Sequence, residues 1–148
     1  MKLSTRSTYG VRAMLALALQ QPGTGPLMVR DIAEQHHLPA TYLEQLMVLL
    51  RKAGWVSATR GAHGGYALAR PAAEITLAEI IEVLEGPLSL ADCPTGAGCC
   101  GHPESCAVYG LWQQASQALI DVFGNITLGT LAEQQRAREC GAALMYSI

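Results

Sequence analysis

The sequence predicts a mainly α-helical protein with one small β-hairpin, and three observations carry that expectation. Apolar residues recur at helical spacing along most of the chain, two β-prone runs flank a glycine-rich turn at 61–65, and a tight turn at 36–39 joins two helical stretches. Helix, turn, helix and hairpin in that order make a winged helix-turn-helix, and a long C-terminal helix suited to dimerisation follows.

The first helix is expected over 7–20, with Tyr9, Ala13 and Leu17 on one face and Val11, Met14 and Ala18 beside them. Gln-Gln-Pro-Gly-Thr-Gly-Pro at 20–26 breaks it. A second, short helix at 29–36 buries Ile32 and Ala33 and carries Asp31 and Glu34 in its early turns. His36-His37-Leu38-Pro39 makes the turn, with Pro39 suited to the first position of the next helix.

The third helix, 40–53, has the clearest pattern. Leu43, Leu46, Met47 and Leu50 fall at i, i+3, i+4 and i+7, which leaves Thr41, Tyr42, Glu44, Gln45, Arg51 and Lys52 on the opposite face before Gly54 stops the helix. Polar residues at the N-terminal end of such a helix are the ones a helix-turn-helix presents to the major groove. Strands at 55–60 and 66–69 then form the hairpin, with Arg60 at its rim and glycines at its tip.

Thr76 and Glu79 read as a capping box with Ile75 and Ile80 as its hydrophobic staple, opening a helix whose stripe is Leu77, Ile80, Ile81 and Leu84. Gly86-Pro87 ends it. A long helix at 108–123 carries Leu111, Ala115, Leu119 and Val122 with Trp112 and Phe123 alongside; Gly124-Asn125 breaks it, and a last helical segment runs from Ile126 to about Cys140. The expected division is 1–86 for the winged DNA-binding domain, 87–107 for a cysteine-rich loop and 108–148 for a helical dimerisation region. The extension has too little domain of its own to cover the apolar face of its long helix, so a homodimer is expected.

The charge is unevenly distributed. Residues 1–70 hold eight basic groups against three acidic ones, whereas 71–148 hold only Arg136 and Arg138 against nine acids. A basic N-terminal half is an electrostatic footprint for a polyanion. No apolar run approaches the roughly 18 residues that span a bilayer, so the expectation is a cytoplasmic protein without a membrane partner. In that compartment thiols stay reduced, and clustered cysteines point to metal or redox chemistry before structural disulfides. Four of the five cysteines, Cys93, Cys99, Cys100 and Cys106, fall within 93–106. Cys140, alone in the last helix, is expected to be a small buried hydrophobe.

The opening Met-Lys-Leu-Ser-Thr-Arg-Ser-Thr-Tyr-Gly, the segment Tyr42-Leu43-Glu44-Gln45-Leu46, the wing Arg60-Gly61-Ala62-His63-Gly64-Gly65-Tyr66 and the later Ile126-Thr127-Leu128 resemble the bacterial Rrf-type winged-helix regulators. That family includes the iron-sulfur cluster regulator IscR, the cysteine-metabolism regulator CymR and the nitric-oxide sensor NsrR, and the pattern here most resembles the first two. The resemblance covers nearly the whole chain. It implies a bacterial homodimeric transcription regulator, usually a repressor, whose long helices cross and whose two winged domains address a palindromic operator in double-stranded DNA. It also implies that Thr41, Tyr42, Glu44 and Gln45 meet base edges and that Arg60, His63 and Gly64 form the wing contact; Arg51, on the polar face of the same helix, is a further DNA-binding candidate. Glutamine can pair with adenine in two places and glutamate can accept from the amino group of cytosine, so Glu44 would act as a selectivity filter.

Cysteine-bearing members of that family hold an iron-sulfur cluster on three thiolates spaced by about five residues, and a 2Fe-2S cluster is expected before a 4Fe-4S one. Five residues separate Cys93 from Cys99 and five separate Cys100 from Cys106, one residue more than a simple repeat allows. Either Cys93, Cys99 and Cys106 serve, or Cys100 replaces Cys99. The resemblance leaves the fourth ligand open: Tyr109 stands where the iron-sulfur regulator has histidine, and Thr8 where the nitric-oxide sensor has a carboxylate. His102 and Glu104 are local substitutes, and Cys100 is another. Zinc is the alternative metal, although paired C-x-x-C spacing is absent, and a metal-free thiol switch is a further one.

An enzyme with a cysteine nucleophile is not expected. His36, His37, His63 and His102 are available as bases, but no nucleophile-base spacing and no phosphate-cradling glycine loop accompanies them.

Overall fold

The computed structural model describes residues 3–20, 24–61, 63–90 and 106–145. Its helices, in chain order, are α1 (Thr5–Leu19), α2 (Val29–His36), α3 (Ala40–Lys52), α4 (Leu77–Glu85), α5 (Ala107–Gly124) and α6 (Leu128–Met145). Strands β1 (Val56–Thr59) and β2 (Gly65–Leu68) follow α3, and a 3-10 turn (Ala72–Glu74) precedes α4.

Helix α1 starts two residues before the apolar periodicity does. Ser4 caps it, its hydroxyl accepting from the Arg6 N–H at 3.1 Å, and this polar signature lies ahead of the first buried residue. Its far face packs on α4 so closely that a Cβ on Gly10 would run into the Leu84 side chain. The two helices also cap each other: the Ser4 N–H donates to the Glu85 carboxylate at 3.0 Å and Arg6 Nη1 donates to the Leu84 carbonyl at 3.0 Å.

The turn between α2 and α3 is closed by His37, whose φ of +53° places it in the left-handed region usually left to glycine. Leu38 N–H returns to the Ala33 carbonyl at 2.8 Å, which fixes where α3 begins. Pro39 is the N-cap rather than the first helical residue, extended at ψ 114°, and its carbonyl accepts from Leu43 N–H. At the other end Gly54, at φ +82°, ends α3 in a Schellman turn: its N–H meets the Arg51 carbonyl and Trp55 N–H meets that of Leu50, both at 3.0 Å.

Strands β1 and β2 pair antiparallel, Val56 with Leu68 through Thr59 with Gly65. Leu27, just ahead of α2, adds an antiparallel bridge to Tyr66 through two hydrogen bonds of 2.9 and 2.8 Å, so the hairpin is anchored to the chain before α2 as well.

The core joins α1, α2, α3 and α4 around Met14, Ile32, Leu43, Leu46, Met47, Leu50, Ile75, Ile80 and Leu84, and Leu128 of α6 belongs to the same cluster. Burying a side chain of this size stabilises by about 1.5–3 kcal/mol. The capping box at Thr76 and Glu79 is present in both directions, and Ile75 and Ile80 are fully buried. Helix α6 is therefore partly a member of the winged unit. Its first residues are pinned by Leu128 N–H to the Ile75 carbonyl at 2.9 Å and by a bridge between Thr76 and Thr127.

Helix α5 differs from all of these, since none of its described residues is buried. Val108, Leu111 and Val122 are more than half exposed, and Trp112 is 41% exposed. Among the described residues no helix is long and apolar enough to cross a membrane.

Candidate nucleic-acid interface and the ends of the cysteine-rich stretch

The exposed face of α3 is set by the burial of the other. With Leu43, Leu46, Met47 and Leu50 held in the core, Thr41, Glu44 and Gln45 project into solvent together at the N-terminal end. Tyr42 is half-buried; its ring meets Tyr9 of α1 edge to face, with centroids 6.1 Å apart at 76°. It also lines a cleft of about 450 Å3 with Ser4, Thr5, Arg6, Leu84 and Glu85, so the tyrosine packs toward α1 and α4 while its neighbours Thr41, Glu44 and Gln45 are exposed. Arg51 is exposed but lies ten residues, about 15 Å of helix, beyond Thr41. It completes the last turn of α3, where a cation opposes the dipole, and does not share a base pair's reach with Thr41.

On the wing, Arg60 and His63 are exposed whereas Gly64 is buried. A Cβ on Gly64 would run into the Thr59 carbonyl oxygen and lie 2.9 Å from that of Gly61, so this glycine folds the turn that carries Arg60 and His63. Gly64 N–H closes the turn on the Gly61 carbonyl at 2.9 Å. The base of the wing is fixed by Arg70, whose guanidinium carbon sits 4.8 Å from the centre of the Trp55 ring.

Gly65 was not among the site residues read from the sequence. It starts β2 against the Leu27 backbone, where a Cβ would collide with the Leu27 carbonyl. The doubled glycine at 64–65 was the available signal, because adjacent glycines at a hairpin mark a close backbone approach.

Of the predicted cluster ligands, Cys106 is described and half-buried, standing as the N-cap of α5 with no capping hydrogen bond from its side chain. Cys93, Cys99, Cys100, His102 and Glu104 lie outside the described residues. The ends of that stretch are nonetheless both placed on α5. Leu90 N–H donates to the Ser116 hydroxyl at 2.9 Å, and that hydroxyl in turn donates to the Trp112 carbonyl at 2.8 Å. Ser116 and Cys106 are ten residues apart, so the two ends stand about 15 Å apart along one helix. Cys140 is exposed, contrary to the expectation from its residue type: the buried stripe of α6 ends before it. Among the described residues no three histidine, cysteine or acidic side chains gather in a metal-binding group.

A helix-turn-helix with a solvent-facing polar N-terminal end, followed by a wing bearing arginine and histidine, defines a winged-helix DNA-binding transcription regulator. A family model described as Rrf2, iron-dependent transcriptional regulator, matches residues 3–134. The HTH-type transcriptional regulator IscR of Klebsiella pneumoniae is 38% identical over 135 residues, covering 91% of this chain and 82% of that protein. Among solved structures, CymR, the global cysteine regulator of B. subtilis, superposes with a TM-score of 0.78 at 38% identity, over 90% of this chain and 98% of that one. IscR of T. potens gives a TM-score of 0.75 at 37% identity, over 91% and 88% of the two chains. This chain belongs to the Rrf2 family of DNA-binding transcription regulators, and its relatives are regulators rather than enzymes.

Proposed function

We propose that this protein is a homodimeric transcription repressor that senses iron-sulfur or redox status through a cluster held by the 93–106 stretch. The observation that carries the proposal is the placing of four cysteines between two helices of different standing. Helix α4 belongs to the core of the DNA-binding unit, while α5 leaves a broad apolar face uncovered. The family's description as iron-dependent supports iron over other metals. In this reading residues 1–86 bind DNA, 87–107 hold the cluster and 108–148 dimerise, with the first turns of α6 shared with the winged unit.

The donor set fits such a group. Three soft thiolates from Cys93, Cys99 and Cys106, with Cys100 as the alternate to Cys99, suit iron-sulfur ligation, and His102 or Glu104 completes the set. A 2Fe-2S cluster is favoured over 4Fe-4S. When bound, a cluster supplies a redox centre whose state or loss changes how the thiolates are tied together. Cys106 opens α5 and Leu90 is tied to its Ser116, so a change in the stretch between them bears directly on the first turns of the dimerising helix. That change alters DNA affinity only if the cluster binds the two dimer arrangements unequally.

At the operator, Thr41, Tyr42, Glu44 and Gln45 read bases, Arg60 and His63 contact the backbone or minor groove from the wing, and Gly64 shapes their turn. Arg51 contacts phosphate outside the bases read by the helix start. The exposed α5 face packs on its counterpart in the second chain, and the two-fold symmetry is matched by a palindromic site.

The test begins with protein purified without oxygen, whose visible spectrum and iron, sulfide and zinc content per chain are measured. A coloured protein with iron and sulfide is expected; a colourless, zinc-loaded one refutes the cluster. Operator affinity of holo and cluster-free protein is then compared at matched salt, because phosphate contacts make affinity strongly salt-dependent. Equal affinities refute sensing. A second reading, control by thiol oxidation, by zinc or by a partner protein in sulfur metabolism, is favoured by the likeness to the global cysteine regulator. It predicts that an oxidant changes operator affinity in protein free of iron.

A further inference from the structure

Leu128, Ala132 and Arg136 recur every four residues along α6 and so share one face. Leu128 is fully buried and Ala132 is 2% exposed. Arg136 ends the stripe: its Nη2 donates to the Ala18 carbonyl at 3.2 Å and lies 3.5 Å from that of Leu19. These are the last carbonyls of α1, which a helix leaves without internal partners. Residues 16–19 are wholly apolar, so α1 supplies no cation to its own C-terminus.

The other end of α6 is held by different means. Leu128 N–H bonds the Ile75 carbonyl, and Gly129 approaches the 3-10 turn so closely that a Cβ would lie 3.1 Å from Ala73 Cα. Leu128 and Arg136 are eight residues apart, about 12 Å of helix. One attachment point would let α6 pivot; two fix its tilt. From α6 the short connection 125–127 leads back to α5, and Asn125 Nδ2 closes on the Asp121 carbonyl at 2.7 Å.

We propose that Arg136 is a positioning residue for operator recognition. By capping α1 it holds α6, and through 125–127 the long helix α5, at one angle to α3, and so sets the separation of the two recognition helices in a dimer. This rests on the homodimeric reading above. A planar guanidinium suits the role because it can address neighbouring carbonyls at once, which an ammonium does with less definition. Arg136 is one of two cations after residue 70, and its partners here are carbonyls rather than acids, so its removal leaves no acid unpaired at this contact.

The experiment uses the full chain and the operator that the parent protein selects from a random duplex library. Affinity is measured on that operator and on duplexes with one base pair added or removed between the half-sites, each step moving a half-site by about 3.4 Å and turning it. The parent is expected to lose on the order of tenfold per step, comparable to the cost of one mismatched base pair. Arg136→Met keeps the aliphatic stem and removes the donors, and it is expected to lose clearly less per step than the parent does. That ratio reports geometry and does not change with the fraction of protein folded. Arg136→Met with the parent's spacing penalty overturns the proposal; should that variant not fold, Arg136→Gln is read by the same ratio. A parent that binds as a monomer, or is indifferent to spacing, overturns the dimeric reading and this inference with it.

Discussion

Replacing Gly65 by alanine should show how far DNA binding depends on the anchoring of the wing. The added Cβ would collide with the Leu27 carbonyl oxygen and lie 2.6 Å from its carbon and 3.0 Å from Met28 nitrogen. All three are backbone atoms, so no side chain can rotate away. Relief requires opening the Leu27–Tyr66 bridge, whose two hydrogen bonds measure 2.9 and 2.8 Å. At about 0.5–1.5 kcal/mol net for each bond, the loss is roughly 1–3 kcal/mol. A chain of this size shifts its melting temperature by about 2–4 °C per kcal/mol, so a fall of several degrees is expected in a thermal melt followed by circular dichroism. Thr59 pairs with Gly65, and Arg60 follows it, so the displaced strand also re-aims the wing. Operator affinity, measured at matched salt well below both transitions, should therefore drop although the protein is folded. A variant that melts within a degree of the parent and binds equally would refute this account of the anchored hairpin.

Glu44→Ala should relax base preference at one position in each half-site, by about 1–3 kcal/mol of discrimination in selection from randomised duplexes, and unchanged preference would remove Glu44 from the base-reading set. Thr76→Ala breaks the capping box of α4 and should cost about 1 kcal/mol in urea unfolding; no loss would mean the box is not a source of stability. Leu111→Asp puts a charge on the exposed face of α5 and should convert a dimer to monomers in sedimentation, whereas an intact dimer would place the interface elsewhere. His36 has its pKa lowered from the ordinary 6.5, first by burial and then by the charges of Arg12 and His37, and its Nε2 finds no partner among the described residues. The unfolded chain thus takes up this proton first. Stability from the neutral imidazole is present above about pH 6.5 and lost as pH falls below it toward the folded value, so His36→Gln should flatten the dependence of melting temperature on pH in that window.

The parts of the fold that could be read from the sequence are those fixed by neighbours along the chain. The stripe Leu43-Leu46-Met47-Leu50, the stop at Gly54 and the capping box at Thr76 each act within one or two turns, and the structure has all three. The unread contacts join distant residues. Leu27 meets Tyr66, Ser116 receives Leu90, and Arg136 reaches α1 across 118 residues. No periodicity announces a partner so far away. Cys140 stands exposed where its residue type predicts burial: cysteine is usually buried, but the stripe of α6 ends where α1 itself ends, beside Arg136. Among the base-reading candidates, the pattern placed Thr41, Glu44 and Gln45 on the open face of α3 but gave no sign that Tyr42 would pack on Tyr9.

That difference divides the N-terminal end of α3, where base reading is proposed, into two kinds of position. Thr41, Glu44 and Gln45 are exposed and can be exchanged without disturbing the core, so under the proposed base-reading role a change of target sequence can come from them one at a time. Tyr42 cannot be exchanged so freely, because its ring also fits α3 against α1. It is the fixed peg in an otherwise interchangeable set, and a designer retargeting this scaffold would randomise the three and leave the tyrosine in place.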